Sequence, residues 1–316
     1  MMKNSIITFL MIVTTSFSFS QDGKIISSSE VIIPDSIKQI RIKRLPEFKK
    51  ILDSTKVSRI VYLSDGLKVE GFIAEPKRIG KYPCIIFCRG GAGAEYTPID
   101  VFTLTFLSEF ASKGYVVIAS QYRGMPKCDG IDEFGGKDVN DVINCVPVLE
   151  QWQNADTNKI GMYGVSRGGM MIYRSLQTLT NIKAAVINSG AVDMYDISLR
   201  SDAPEWEPFF KEHIPGYPKN KKVEFDARSA LYWPEKIYSK TPLLIMQGTA
   251  DIQVDASSVI EFVNKMYVLK KPIKFILYEG GLHGLKAIRE YKDQMWDWYN
   301  RFLKNNEPLP IINVKR

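Results

Sequence analysis

Histidine is scarce in this chain of 316 residues: there are two, His213 and His283. Cysteine is nearly as scarce at four, and no CxxC or Cys/His cluster is present. That removes the usual zinc-site patterns, so no metal site is expected. Cys84 and Cys88 stand four residues apart in an apolar run that reads as one strand. Their Cα atoms would lie about 13 Å apart, beyond the roughly 7 Å reach of a disulfide. They read as small buried hydrophobes, and a Cys128–Cys145 bridge is left open. No internal repeat or low-complexity segment interrupts the sequence. The apolar stretch Ile6 to Val13 is too short to cross a bilayer, which takes about 20 residues.

That stretch sits in "MMKNSIITFLMIVTTSFSFSQDGK", with Lys3 before it and Ser18 and Ser20 three and one residues ahead of Gln21. This is the pattern of a secretory signal peptide over residues 1–20. The expectation is an exported protein, periplasmic or extracellular, with no transmembrane segment in its mature form. The net charge is +7. Its two basic stretches, "KQIRIKRLPEFKK" and "KMYVLKKPIK", are broken by apolar residues at helix-like spacing. They read as solvated faces of amphipathic elements, not as a nucleic-acid surface.

Residues 21–56 read as a polar lead with one basic helix. "SRIVYLSDGLKVEGFIAEPK" alternates apolar and polar residues around Asp65-Gly66, a hairpin signal. From Pro83 onward, short apolar runs ("CIIFC", "YVVIAS", "KIGMYG", "AAVINSG", "PLLIMQG", "IKFILYEG") are separated by segments of helical spacing. Pro147 should kink or shorten one of these, "KDVNDVINCVPVLEQW". Strands without alternation, divided by helices, indicate a mostly parallel, doubly wound sheet covered on both faces. The exception is about 194–240, rich in aromatics and prolines, which reads as a cap over the strand ends. Its Trp206, Phe209, Phe210 and Trp233 are expected to bind substrate.

"GMYGVSRGGM" places Ser166 in a G-x-S-x-G pattern between a strand and a helix. That is the nucleophile elbow, whose glycines keep side chains out of a very tight turn. The serine needs a base and the base an acid, in chain order serine, acid, histidine. His213 lies inside the cap, ahead of the strand that should carry the acid. His283, in "YEGGLHGL" beyond the last strand, has the right order. "LLIMQGTADIQVD" offers Asp251 in the loop after its strand and Asp255 where a helix N-cap is expected. Asp251 is assigned, with Asp255 and then Asp193 as alternatives. The oxyanion donors should be the backbone N–H groups of Arg167, directly after the serine, and of Gly91 in "RGGAG", with Gly90 as the neighbouring choice.

"CIIFCRGG", "QYRG", "GGKDVNDV", "NADTNKIGMYGVSRGGMM", "KTPLLIMQGTADIQV" and "EGGLHG" together resemble the catalytic domain of prolyl-oligopeptidase-type serine hydrolases, over about residues 57–305. The resemblance implies an α/β-hydrolase fold over 57–316 and a Ser166–Asp251–His283 triad that needs no cofactor. Two departures stand out. Arg89 occupies a position where related proteins often carry histidine. The segment between Gln21 and the hairpin is also too short for the β-propeller that family peptidases usually carry ahead of this domain. The expected activity is acyl transfer from a small peptide or ester substrate by a peptidase of this family. A carboxylesterase, for example on acetylated sugars, and a non-catalytic binding protein on the same fold are the alternatives.

Overall fold

The structure, a computed structural model, describes residues 21–91, 98–199 and 203–312. The expected signal peptide lies outside these residues. Among the described residues, no helix is long and apolar enough to cross a membrane.

A hairpin opens the main sheet. β2 (Thr55–Ser64) and β3 (Leu67–Pro76) pair antiparallel in continuous register from Thr55–Pro76 to Ser64–Leu67. Asp65 and Gly66 turn the chain with φ of 51° and 75°, the two positive values a type I′ turn requires. The lead contains more than one basic helix. β1 (Ile25–Glu30) pairs antiparallel with β2, and α1 (Asp35–Arg44) and α2 (Phe48–Ser54) follow it. β1 is mostly exposed and serine-rich, so it joins the sheet through its backbone and carries no apolar alternation to reveal it. The basic residues here are partly paired on the surface, Arg41 with Glu109 at 3.0 Å and Lys49 with Asp53 at 2.8 Å.

Among the described residues the sheet has nine strands, ordered β1-β2-β3-β5-β4-β6-β7-β8-β9. Here β4 is Tyr82–Cys88, β5 Val116–Ser120, β6 Ala155–Val165, β7 Ile182–Asn188, β8 Leu243–Gly248 and β9 Ile273–Tyr278. From β5 to β9 every neighbouring pair is parallel. Successive side chains enter opposite faces. Ile86 and Cys88 belong to one core and Ile85 and Phe87 to the other. The first core is covered by α4 (Val139–Ile143), α5 (Cys145–Glu150), α6 (Arg167–Ser175) and α10 (Ala256–Val268). The second is covered by α3 (Val101–Ser112) and α11 (Glu290–Tyr299). The long segment before β6 is two short helices that meet at Asn144. Pro147 stands in the first turn of the second, where a missing N–H costs little.

The cap holds α7 (Met194–Leu199), α8 (Ala203–His213), α9 (Lys221–Arg228) and 3-10 turns at Ala230–Tyr232 and Pro234–Lys236. All four cysteines are free thiols. Cys128 Sγ accepts from the Glu70 N–H, while Cys145 Sγ donates to the Asp141 carbonyl. Burial pushes the Cys84 thiol up to about 12 and the Cys128 thiol up to about 11.

Candidate active site

Counting along the chain, β5 falls on one side of β4 and β6 on the other, so the strand order reverses at β4. An open parallel sheet leaves its ligand crevice at such a reversal, outside the carboxyl ends of the strands. Four segments gather there: Arg89–Gly91 after β4, Ser166 after β6, the Asp251 loop after β8 and His283 after β9.

Ser166 separates β6 from α6 with φ 57° and ψ −125°. A non-glycine residue at such an angle costs about 1–3 kcal/mol and persists only where its surroundings enforce it. Hydrogen bonds hold the turn from both sides: Ser166 N–H donates to the Asn188 carbonyl at 3.1 Å, and Ala191 N–H donates to the Ser166 carbonyl at 3.1 Å. The turn is so tight that a Cβ on Gly168 would lie 2.0 Å from the Cys88 carbonyl oxygen, and one on Gly164 2.4 Å from the Gly168 oxygen. Arg167 begins α6, so its N–H is among those the helix itself leaves without partners.

His283 Nδ1 lies 3.0 and 2.9 Å from the two carboxylate oxygens of Asp251. Asp251 Oδ1 also accepts from the N–H groups of Gln253 (2.8 Å) and Val254 (3.0 Å), and Oδ2 from Gln247 Nε2 (3.2 Å). Burial alone would raise this carboxyl. The His283 bond and the two backbone N–H groups outweigh it and hold Asp251 below the ordinary carboxylate range. The loop beyond His283 is pinned to the end of β7, where Asn188 Nδ2 donates to the Gly284 carbonyl and Gly284 N–H donates to Ser189 Oγ, both at 3.0 Å. The two alternative acids are engaged elsewhere. Asp255 caps α10 by accepting from Ser257 N–H at 2.7 Å. Asp193 accepts from Tyr195 N–H, Ser229 Oγ and Tyr232 Oη. His213 stacks on Phe209, with ring centroids 4.0 Å apart, and its Nδ1 lies 3.0 Å from the Phe209 carbonyl.

Ser166, Arg167, His283, Gly90 and Gly91 line one cavity of about 720 Å³. Among the hydrogen bonds of the described residues, none joins the Ser166 hydroxyl to His283. Apolar side chains form much of the wall, including Phe87, Ile99, Phe134 and Ile197. Of the four aromatic residues expected to bind substrate, Trp206 alone lines the cavity. Phe210 and Trp233 are buried in the core between cap and sheet, where the Trp233 indole N–H donates to the Asp226 carbonyl at 2.8 Å. Phe209 packs edge-on against Phe134 and flat on His213. These aromatics fill the cap's own interior, and Trp206, itself packed on Phe209 and Phe210, also reaches the cavity wall.

A buried ionic cluster lies beneath the elbow, and no spacing in the sequence marks it. Arg167 Nη2 donates to Asp132 Oδ1 (2.5 Å) and Asp138 Oδ2 (2.6 Å), while Nη1 donates to Asp132 Oδ2 (2.8 Å) and the Gly91 carbonyl (3.1 Å). The guanidinium also lies over the Phe134 ring at 4.8 Å. Burial works against a charged Asp132, yet the Arg167 charge and hydrogen bonds outweigh it and hold its carboxyl low.

Fold and comparisons together define a serine hydrolase with the α/β-hydrolase fold. The chain belongs to the prolyl oligopeptidase family, which it matches over residues 102–306. It is 29% identical over 242 residues to the uncharacterized peptidase YtmA of Bacillus subtilis (strain 168), spanning 76% of this chain and 91% of that one. It is 22% identical over 314 residues to dipeptidyl-peptidase 5 of Porphyromonas gingivalis, spanning 91% of this chain and 45% of that one. Among solved structures, Pyrococcus horikoshii acylaminoacyl peptidase superposes with a TM-score of 0.66 at 23% identity, over 81% of this chain and 43% of that one. The chain thus spans less than half the length of these last two proteins.

Proposed function

We propose that the protein is an exported peptidase-type hydrolase working through Ser166, His283 and Asp251, on short peptides or esters with an apolar acyl part. The observation that carries this is the two-oxygen grip of Asp251 on His283 Nδ1, in a ring that shares a cavity with the strained Ser166. An ionised Asp251 only accepts hydrogen bonds, so Nδ1 carries the proton and Nε2 keeps the lone pair of a base. In this reading Ser166 Oγ attacks the carbonyl as Nε2 takes its proton. The N–H groups of Arg167 and Gly91 stabilise the oxyanion, and Asp251 stabilises the imidazolium. His283 then protonates the leaving group, and water, activated by the same ring, releases the acyl group. A Ser166–His283 hydrogen bond is expected to tighten when substrate fills the cavity.

The test is covalent labelling. A fluorophosphonate probe should modify the wild-type protein at Ser166, and Ser166→Ala should abolish both labelling and turnover. Peptide mapping that puts the adduct on a different serine would reject the assignment, and a protein that takes no label would favour a binding role. Export is tested separately, by sequencing the N-terminus of the protein recovered outside the cytoplasm, which should begin at Gln21.

A further inference from the structure

We propose that Arg89 and Arg167 are positioning residues that together aim the Gly91 N–H at the oxyanion. The proposal rests on the assignment of that N–H as an oxyanion donor. The Gly90 carbonyl and the Gly91 N–H belong to one peptide unit. The only cis bond among the described residues is Tyr217–Pro218, so this unit is trans and its C=O and N–H point in opposite directions. Arg89 Nη1 donates to the Gly90 carbonyl at 3.1 Å. Holding that oxygen on one side holds the Gly91 N–H on the other. Arg89 is itself fixed: its Nε donates to the Gln121 carbonyl at 2.9 Å, its guanidinium lies 4.5 Å over the Tyr122 ring, and it is 3% exposed.

The next peptide unit is held by the second arginine. Gly91 turns the chain with φ 74°, and its carbonyl accepts from Arg167 Nη1 at 3.1 Å. A residue has two soft dihedrals, and here the peptide planes on both sides of the Gly91 Cα are each gripped by a guanidinium. Arg167 is in turn locked by Asp132 and Asp138. One residue therefore offers one donor from its backbone and sets the other through its side chain, which ties the spacing of the two donors to the elbow. The loop also touches the elbow directly: a Cβ on Gly90 would lie 3.2 Å from the Ser166 Cβ. Lysine could not substitute. Arg89 reaches two carbonyls, and Arg167 three acceptor residues, by using a planar fork, whereas an ammonium is a single point donor.

The experiment compares Arg89→Lys, Arg89→Met and Arg167→Lys with wild type. It measures kcat per fluorophosphonate-titrated site, KM for a p-nitrophenyl ester, Ki for an alkyl trifluoromethyl ketone that forms a tetrahedral oxyanion on Ser166, and thermal stability. Losing a whole oxyanion donor costs about 10²–10³ in kcat, so misaiming one should cost about 10- to 100-fold. Each variant should keep KM within about threefold while the ketone Ki rises by the same factor as kcat falls, as for an interaction made in the transition state alone. An unchanged kcat in Arg89→Lys and Arg89→Met, or a lower kcat with unchanged ketone affinity, would overturn the proposal, whatever the change in stability. Turnover that survives Ser166→Ala would instead remove the underlying assignment.

Discussion

Asp251 and Asp255 stand in one loop and differ in what they hold. Asp251 is 8% exposed and bonded to His283, two backbone N–H groups and Gln247, while Asp255 caps a helix at the surface. Asp251→Asn should therefore lower kcat about 10³- to 10⁴-fold, because the neutral amide no longer fixes the tautomer or stabilises the imidazolium. Asp255→Ala should leave kcat nearly unchanged and cost about 1 kcal/mol of stability for the lost cap. Steady-state kinetics and thermal melts on both variants check this. Because the folded carboxyl of Asp251 sits below its unfolded value, its stabilising contribution is complete above about pH 3.9 and declines as pH falls through the lower folded value. The stability gap between wild type and Asp251→Asn should accordingly be widest near neutrality and close on acidification below pH ~4. A gap that widened in acid would contradict the direction of the shift.

At the scale of elements, the tight strand–turn–helix around Ser166 was legible because its constraint is local. β6, the turn and α6 are contiguous, and the G-x-S-x-G glycines mark where a Cβ has no room. Gly168→Ala should destabilise the protein at the upper end of the ~1–3 kcal/mol typical of overpacking, or beyond it, because the obstacle is the backbone carbonyl of Cys88 and not a side chain that could swing away. Denaturant unfolding gives the figure. A loss under 0.5 kcal/mol would mean that β4 and α6 separate easily. The scarcity of histidine narrowed the proposed base to His283 by order along the chain, and the ring lies against Asp251. What the sequence hid is long-range. β1 joins the sheet by backbone pairing with exposed serines, which no apolar period reveals. Arg89, Asp132 and Arg167 meet across long stretches of chain, and in a linear reading nothing marks their side chains as one buried cluster. The cap aromatics misled for a different reason: an aromatic side chain fits a core as readily as a binding wall, and only packing against Phe134 and Phe225 decides that Phe210 belongs to the core.

For the whole molecule, the sheet brings Ser166, Asp251 and His283 to one edge and the cap residues Ile197 and Trp206 join the cavity wall there, so on the proposed mechanism substrate preference depends on what that cavity offers. Its wall is largely apolar. Of its charged members, Arg167 is engaged with Asp132 and Asp138, Arg89 grips its own loop, Asp100 caps α3 by accepting from Thr103 N–H, and Lys286 is exposed at the rim, a charge on a long flexible stem. Such a cavity takes up an apolar acyl group well but provides few fixed polar partners along a peptide backbone. On the proposed mechanism amide cleavage demands more of the geometry than ester cleavage, because His283 would have to deliver its proton to the departing nitrogen as the bond breaks. A phenolate or alkoxide leaves more readily and tolerates a looser pose. With both substrates presented to the same cavity, p-nitrophenyl butyrate should be turned over at least ~100-fold faster, in kcat/KM, than aminoacyl p-nitroanilides, a difference of about 2.7 kcal/mol in barrier. Parallel kinetics on the two panels measures the ratio. A di- or tripeptide anilide hydrolysed as efficiently as the ester would show that the peptide is anchored by contacts beyond the apolar wall. Trp206→Ala would then separate the two cases, since losing that wall should raise KM for the butyrate while sparing a substrate held elsewhere.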